Sequence, residues 1–208
     1  MRRKLGLRFL IIVVSLFFIL SFIFSETKTK TIEKETCEVV SLINEEYYPA
    51  VHKALQEAKE SILVAMYLIK MGTQPTDQVN TLLNDLIEAK KRGVKVQILL
   101  EKEKVETRPL HQSNLKTYNF LKEKGMDVRL DTAKKETHDK LVIIDDRIVF
   151  IGNHNWSYGA FILSNEDSLM VRFSSPRLEY RRYFEKLLSQ KEKGRELSRT
   201  VKQRRKIN

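Results

Sequence analysis

The chain has a single cysteine, Cys37, in 208 residues, so no disulfide can form within it. Glu35, Thr36 and Glu38 beside it offer neither a second thiol nor a metal-ligand spacing, and a free thiol in a loop is expected. The four histidines, His52, His111, His138 and His154, fall at no zinc-like spacing, which predicts no metal site and no cofactor. No segment repeats, which sets aside repeat architectures. No apolar run reaches the roughly 20 residues of a membrane-spanning helix. The longest, residues 9–24, is interrupted by Ser15 and Ser21 and follows Arg2, Arg3, Lys4 and Arg8. No A-x-A cleavage site follows it. Residues 1–25 are therefore expected to be a targeting segment, kept as an anchor that holds the body outside the cytoplasm. The alternative is cleavage and release as a secreted or periplasmic protein.

The body also lacks a surplus of either charge. The formal net charge is +11, but residues 1–25 carry +4 and residues 181–208 carry +8, which leaves the body at −1. Net charge thus gives no warrant for a polyanion-binding face on the body; the basic excess lies in the tails. At 42% hydrophobic and 31% charged, the chain suits one globular domain with appendages. A linker is expected over 26–38, the domain over 39–190 and a basic tail over 191–208.

Within the domain the periodicities alternate. Strands are expected at 39–43, 61–69, 94–100, 126–130 and 166–173. Helices are expected at 47–59 (Val51, Leu55 and Ala58 inward), 77–92, 114–124 and 176–190. Residues 71–77 and 101–112 read as loops, and 158–163 as a loop or short helical turn. The strand–helix–strand order over 61–100 suggests a parallel crossover, and the fold class is α/β.

One stretch organises the rest: THDKLVIIDDRIVFIGNHNWS, residues 137–157. Residues 141–144 are apolar and suit a buried strand. Asp145-Asp146 is a turn signal, and 147–151 reads as the returning strand of a hairpin. His138 and Lys140 are two apart, so on extended chain their side chains leave the same face. Gly152 opens a tight loop in which Asn153, Asn155 and Ser157 present amide and hydroxyl groups. A neutral base, a fixed cation and several neutral donors make a site suited to a phosphoryl group.

The pattern H-x-K-x4-D with Gly152, Asn153, Asn155 and Ser157 resembles the signature of the phospholipase D superfamily, and the resemblance covers about residues 40–190. It departs from that signature at Asn153, where the family usually carries serine. The motif occurs once here, whereas larger members carry it twice, so the likeness is to single-motif, endonuclease-like members. The resemblance implies a mixed β-sheet sandwiched between helical layers. It also implies His138 as nucleophile, with a phosphohistidine intermediate and no metal. Lys140 and Asn155 would hold the nonbridging oxygens, with Asn153 a weaker candidate. Glu166 falls where the family carries a carboxylate that orients the histidine ring. Asp145 belongs to the motif, and its expected role is to cap the hairpin turn.

His154 and Trp156 occupy the variable slots of the loop and are expected to line the pocket, with packing an equal alternative for Trp156. His52 is expected to pack on its helix. Because two acid–base groups are needed and one motif is present, the resemblance implies a homodimer with two His138 facing across a shared site. Histidine in general titrates near 6.5, which lets a pair hold one neutral and one charged ring. The favoured substrate is nucleic acid, with the basic tail gripping phosphates; the alternative is phospholipid beside the anchor. A membrane-tethered nucleic-acid-binding protein with a relic site is disfavoured by the intact His138–Lys140 pair.

Overall fold

The structure, a computed structural model, describes residues 36–132 and 135–189. The expected targeting segment, most of the linker and the basic tail lie outside the described residues. In chain order the elements are β1 (Cys37–Ile43), a 3₁₀ turn (Asn44–Glu46), α1 (Tyr47–Glu57), β2 (Ser61–Met66) and α2 (Gln78–Lys91). Then come β3 (Lys95–Leu100), α3 (Pro109–Glu123), β4 (Asp127–Leu130), β5 (Lys140–Ile144) and β6 (Ile148–Gly152). A π-helical turn (Gly159–Leu163), β7 (Asp167–Phe173) and α4 (178–189) complete the fold.

The strands form one seven-stranded sheet in the order β1-β7-β6-β5-β2-β3-β4. β2, β3 and β4 are mutually parallel, as the crossover reading requires. β5, β6, β7 and β1 are antiparallel to their neighbours. The all-apolar strands sit centrally because both faces of the sheet are covered. In β2, Ile62, Val64 and Met66 pack with α1, α2 and α3, whereas Leu63 and Ala65 pack with Phe184 and Leu188 of α4. β5 divides in the same way, Val142 and Ile144 against Leu141 and Ile143. This is the expected mixed sheet between helical layers.

The β5–β6 hairpin turns on Asp145 and Asp146, whose φ angles of 52° and 53° give the two left-handed residues of a type I′ turn. The Arg147 amide closes the turn by donating to the Ile144 carbonyl at 3.0 Å. At the far end of β6, Gly152 meets β7 so closely that a Cβ there would collide with Ser168 and Asp167. Glycine is therefore required where the motif loop leaves the sheet.

Three boundaries differ from expectation. The strand expected over 61–69 ends at Met66. The Asn114 side chain takes the Ile69 amide at 3.0 Å and donates to the Tyr67 carbonyl at 2.7 Å, drawing this segment off the ladder. Helix α3 starts at Pro109, five residues before 114. Proline suits a first turn that needs no amide, and Glu103 accepts the His111 amide at 3.2 Å. Cys37, expected in a loop, is exposed on edge strand β1 opposite Phe173.

Candidate active site

β5 begins at Lys140, and His138 precedes it on the approach to the sheet. The two share a face and part in exposure: Lys140 is 7% exposed, while His138 opens to solvent. The Lys140 ammonium lies 3.2 Å from each ring nitrogen of His138, singling out neither, and donates to the His138 carbonyl at 3.0 Å. Tyr67, just beyond β2, sets its ring 4.3 Å from the imidazole centroid at 55°. The same ammonium stands 4.7 Å from the Tyr67 ring centroid, within cation–π range. Burial lowers the Lys140 pKa, and the nearby charges of Glu166, Asp139 and Glu136 oppose that fall. The result is an exposed imidazole backed by a buried cation and an aromatic plate.

The remaining motif residues divide between site and scaffold. Asp145 lies at the opposite end of β5 from Lys140. Its carboxylate accepts the amides of Lys59, Glu60 and Ser61 at 2.9, 2.7 and 2.9 Å, which ties the hairpin turn to the start of β2. Asn153 is exposed and commits its amide to Asp167 at 2.7 Å. Asn155 is half-buried, and its Oδ1 is buried without a hydrogen-bond partner. Glu166 reaches Lys140 through its charge, and it is the Lys140 ammonium that meets the His138 ring.

His154 does not line the pocket. It is fully buried, stacked 4.4 Å from Tyr47 at 3°. Its Nε2–H donates to the Asn44 carbonyl at 3.0 Å, so Nδ1 accepts from the Ser168 hydroxyl at 2.8 Å. Burial lowers its pKa. Trp156 is likewise fully buried and donates to the Tyr47 hydroxyl at 3.3 Å, which places it in the core. His52 bonds Asp85 at 2.6 Å between α1 and α2.

Four residues around His138 escaped the sequence reading: Tyr67, Glu101, Asp131 and Thr137. The Thr137 amide donates to Glu101 Oε2 at 2.6 Å, and its hydroxyl donates to the Asp131 carboxylate. Glu101, Thr137 and Asp131 are 2%, 4% and 7% exposed. Burial pushes the Glu101 carboxyl up to about 7; the Thr137 amide opposes the rise, while Asp131, Glu136 and Glu103 add to it. The one available signal was position, since Glu101 directly follows the apolar run that ends β3.

Among the described residues, no group of three or more His, Cys, Asp or Glu side chains is arranged to hold a metal ion. A groove of about 630 Å³ lies between residues 70–79 and 158–163, with Met71, Val79, Tyr158, Phe161, Ile162 and Leu163 among its walls. Tyr158, Ile162 and Leu163 are 62%, 50% and 72% exposed. Along the chain these two segments begin three residues after Tyr67 and Asn155. The Lys70 amide and Trp156 carbonyl, bonded at 2.8 Å, join the two segments.

A family model described as "Cardiolipin synthase, PLD-like domain" matches residues 51–188. A phospholipase D of Rickettsia typhi (strain ATCC VR-144 / Wilmington) is 32% identical over 117 residues, 56% of this chain and 50% of that protein. A mitochondrial cardiolipin hydrolase of Chlamydomonas reinhardtii is 28% identical over 116 residues, 52% of this chain and 48% of that protein. The chain thus spans about half the length of the curated relatives it matches. Nuc from Salmonella typhimurium, a phospholipase D family member, aligns with a TM-score of 0.61 at 22% identity, covering 74% of this chain and 96% of that one. NucT from Helicobacter pylori aligns at 0.57 and 21%, covering 74% and 98%. At these identities the likeness is one of fold.

Proposed function

Because the chain belongs to the phospholipase D-like family, we propose that it hydrolyses phosphodiesters without a metal, with His138 as the nucleophile. The observation that carries the proposal is the buried Lys140 ammonium held 3.2 Å from an exposed imidazole. A ring nitrogen of His138 attacks phosphorus, and the bond to the leaving oxygen breaks with its electron pair on that oxygen. A second acid supplies the proton. Water then attacks the phosphohistidine, loses its proton to the same group, and regenerates the free imidazole. Lys140 neutralises charge on the nonbridging oxygens in a partly desolvated site. Asn155 joins it through its Nδ2 amide, which donates a hydrogen bond to a nonbridging oxygen.

The second acid is the His138 of another copy. Within one chain His52 and His154 are committed to Asp85 and to Ser168 with Asn44, and His111 lies in the first turn of α3. A twofold dimer brings two exposed imidazoles face to face. Residues 9–24 tether this unit to a membrane outside the cytoplasm, or export it.

Nucleic acid is the first substrate reading, with the basic tail, residues 191–208, supplying electrostatic grip on phosphates. A second reading, phospholipid, rests on one observation: the apolar-walled groove between residues 70–79 and 158–163. Purified protein incubated in EDTA with plasmid DNA, RNA and phospholipid vesicles tests both. Cleavage of one class in chelator that is lost in His138→Asn supports that reading. A strict requirement for added magnesium or zinc refutes the mechanism.

A further inference from the structure

Thr137, the residue before the proposed nucleophile, is held by two buried carboxyl groups. Its amide donates to Glu101 at 2.6 Å, and its hydroxyl to Asp131. Both acids are anchored by their own backbones. The Glu101 amide donates to the Met66 carbonyl at 3.2 Å, and the Glu101 carbonyl accepts from Asn114 at 3.0 Å. The Asp131 amide donates to the Leu100 carbonyl at 2.8 Å. Asn114 bonds the Tyr67 carbonyl as well, and the Tyr67 amide donates to the Asp139 carbonyl at 2.7 Å. Both neighbours of His138 are therefore tied to the C-terminal ends of β2 and β3, and Glu101 lies at the centre of that network.

We propose that Glu101 is a positioning residue for His138: its carboxylate, together with Asp131, fixes Thr137 and so the backbone from which the imidazole projects. The proposal rests on His138 being the nucleophile. A neutral amide could also accept the Thr137 N–H, though more weakly. Placing an ionisable acid there, 2% exposed and beside a second carboxyl, opposes folding whenever it is charged. A carboxylate accepts a stronger hydrogen bond than a neutral acceptor, so it locks Thr137 more firmly. The groups that bear on its ionisation are Asp131, Glu136 and Glu103, all acidic, and the Thr137 amide, which favours the charged form. On the Tyr67 side the positive charge of Arg108 acts alongside Glu101 and Glu103. The charged state is the positioning state, and activity should rise with pH as Glu101 ionises around neutrality.

The test uses the full chain and four variants: Glu101→Gln, Glu101→Asp, Thr137→Val and His138→Asn. Glu101→Gln should lower kcat by up to about 100-fold, the scale of a small misplacement of a reacting group, with KM little changed. It should also erase the rise in kcat through neutral pH. Its Tm at pH 8 should exceed that of wild type, because a buried charge is gone. Glu101→Asp should restore a titrating limb, and Thr137→Val should lower kcat without erasing it. A folded Glu101→Gln with wild-type kcat and an unchanged pH profile overturns the proposal, and so does a loss of kcat that only follows a lowered Tm. If Glu101→Gln does not fold, wild-type kcat in Thr137→Val overturns it. Full activity in His138→Asn instead removes the reading on which the proposal rests, an outcome separable from the other two.

Discussion

At the scale of single residues, the site depends on charge placed where water cannot screen it. Lys140 is nearly buried, and its ammonium is met by a carbonyl, an imidazole and an aromatic face. Lys140→Ala should therefore cost about 2.7–4 kcal/mol of transition-state stabilisation, the range for losing one preorganised electrostatic donor. The measurement is kcat against a soluble phosphodiester, and a loss under about tenfold would contradict that role. His138→Asn should abolish turnover while circular dichroism and Tm stay near wild type, because the ring is exposed and holds no core contact. Glu166 contributes its charge to Lys140, so Glu166→Gln should weaken catalysis less than Lys140→Ala does.

At the scale of elements, the β5–β6 hairpin is what aims the site, and Asp145 is what holds the hairpin. One carboxylate takes three successive amides at the entrance to β2 while its own backbone sits at φ 52°. Asp145→Ala leaves those amides without a side-chain acceptor and puts a Cβ residue without a polar side chain in the left-handed region. A loss of about 1–3 kcal/mol is expected, read as a lower midpoint in urea unfolding. Residual activity of the folded fraction should stay near normal, because Asp145 lies at the other end of β5 from Lys140. A catalytic role would instead lower kcat in fully folded protein.

At the scale of the whole molecule, two buried groups give stability opposite dependences on pH. His154 has its pKa lowered by burial, so the unfolded chain takes up that proton first. Its contribution is present above about 6.5 and is lost as pH falls. Glu101 has its pKa raised from 4.5 to about 7, so the folded chain keeps that proton longer and stability declines as pH rises through that window. His154→Gln should flatten the acid side of a Tm–pH curve and Glu101→Gln the neutral side; unchanged slopes would refute the assignment. Assembly is tested by mixing. Excess inactive His138→Ala chain, allowed to exchange with wild type, should depress wild-type activity as heterodimers form. Activity that simply tracks the wild-type chain would refute a shared site, as would a fully active monomer by light scattering.

Most of the fold was legible in the sequence because apolar periodicity and turn chemistry are local. β2 and β5 are apolar on both faces and so had to be central; Asp145-Asp146 had to turn; Gly152 had to leave the sheet where no Cβ fits. His138 and Lys140 were legible for the same reason, since two residues on an extended chain share a face. What lay beyond the sequence was every contact made across large separations. Asn114 draws residues 67–69 off the ladder from 45 positions away, Glu101 reaches Thr137 across 36, and Asp145 reaches Ser61 across 84. His154 shows the limit most clearly: its place in the motif loop pointed to the pocket. Tertiary packing against Tyr47, Ser168 and Asn44 decided for the core. A side chain's neighbours along the chain fix which face it leaves from, and only the closed sheet fixes what meets it there.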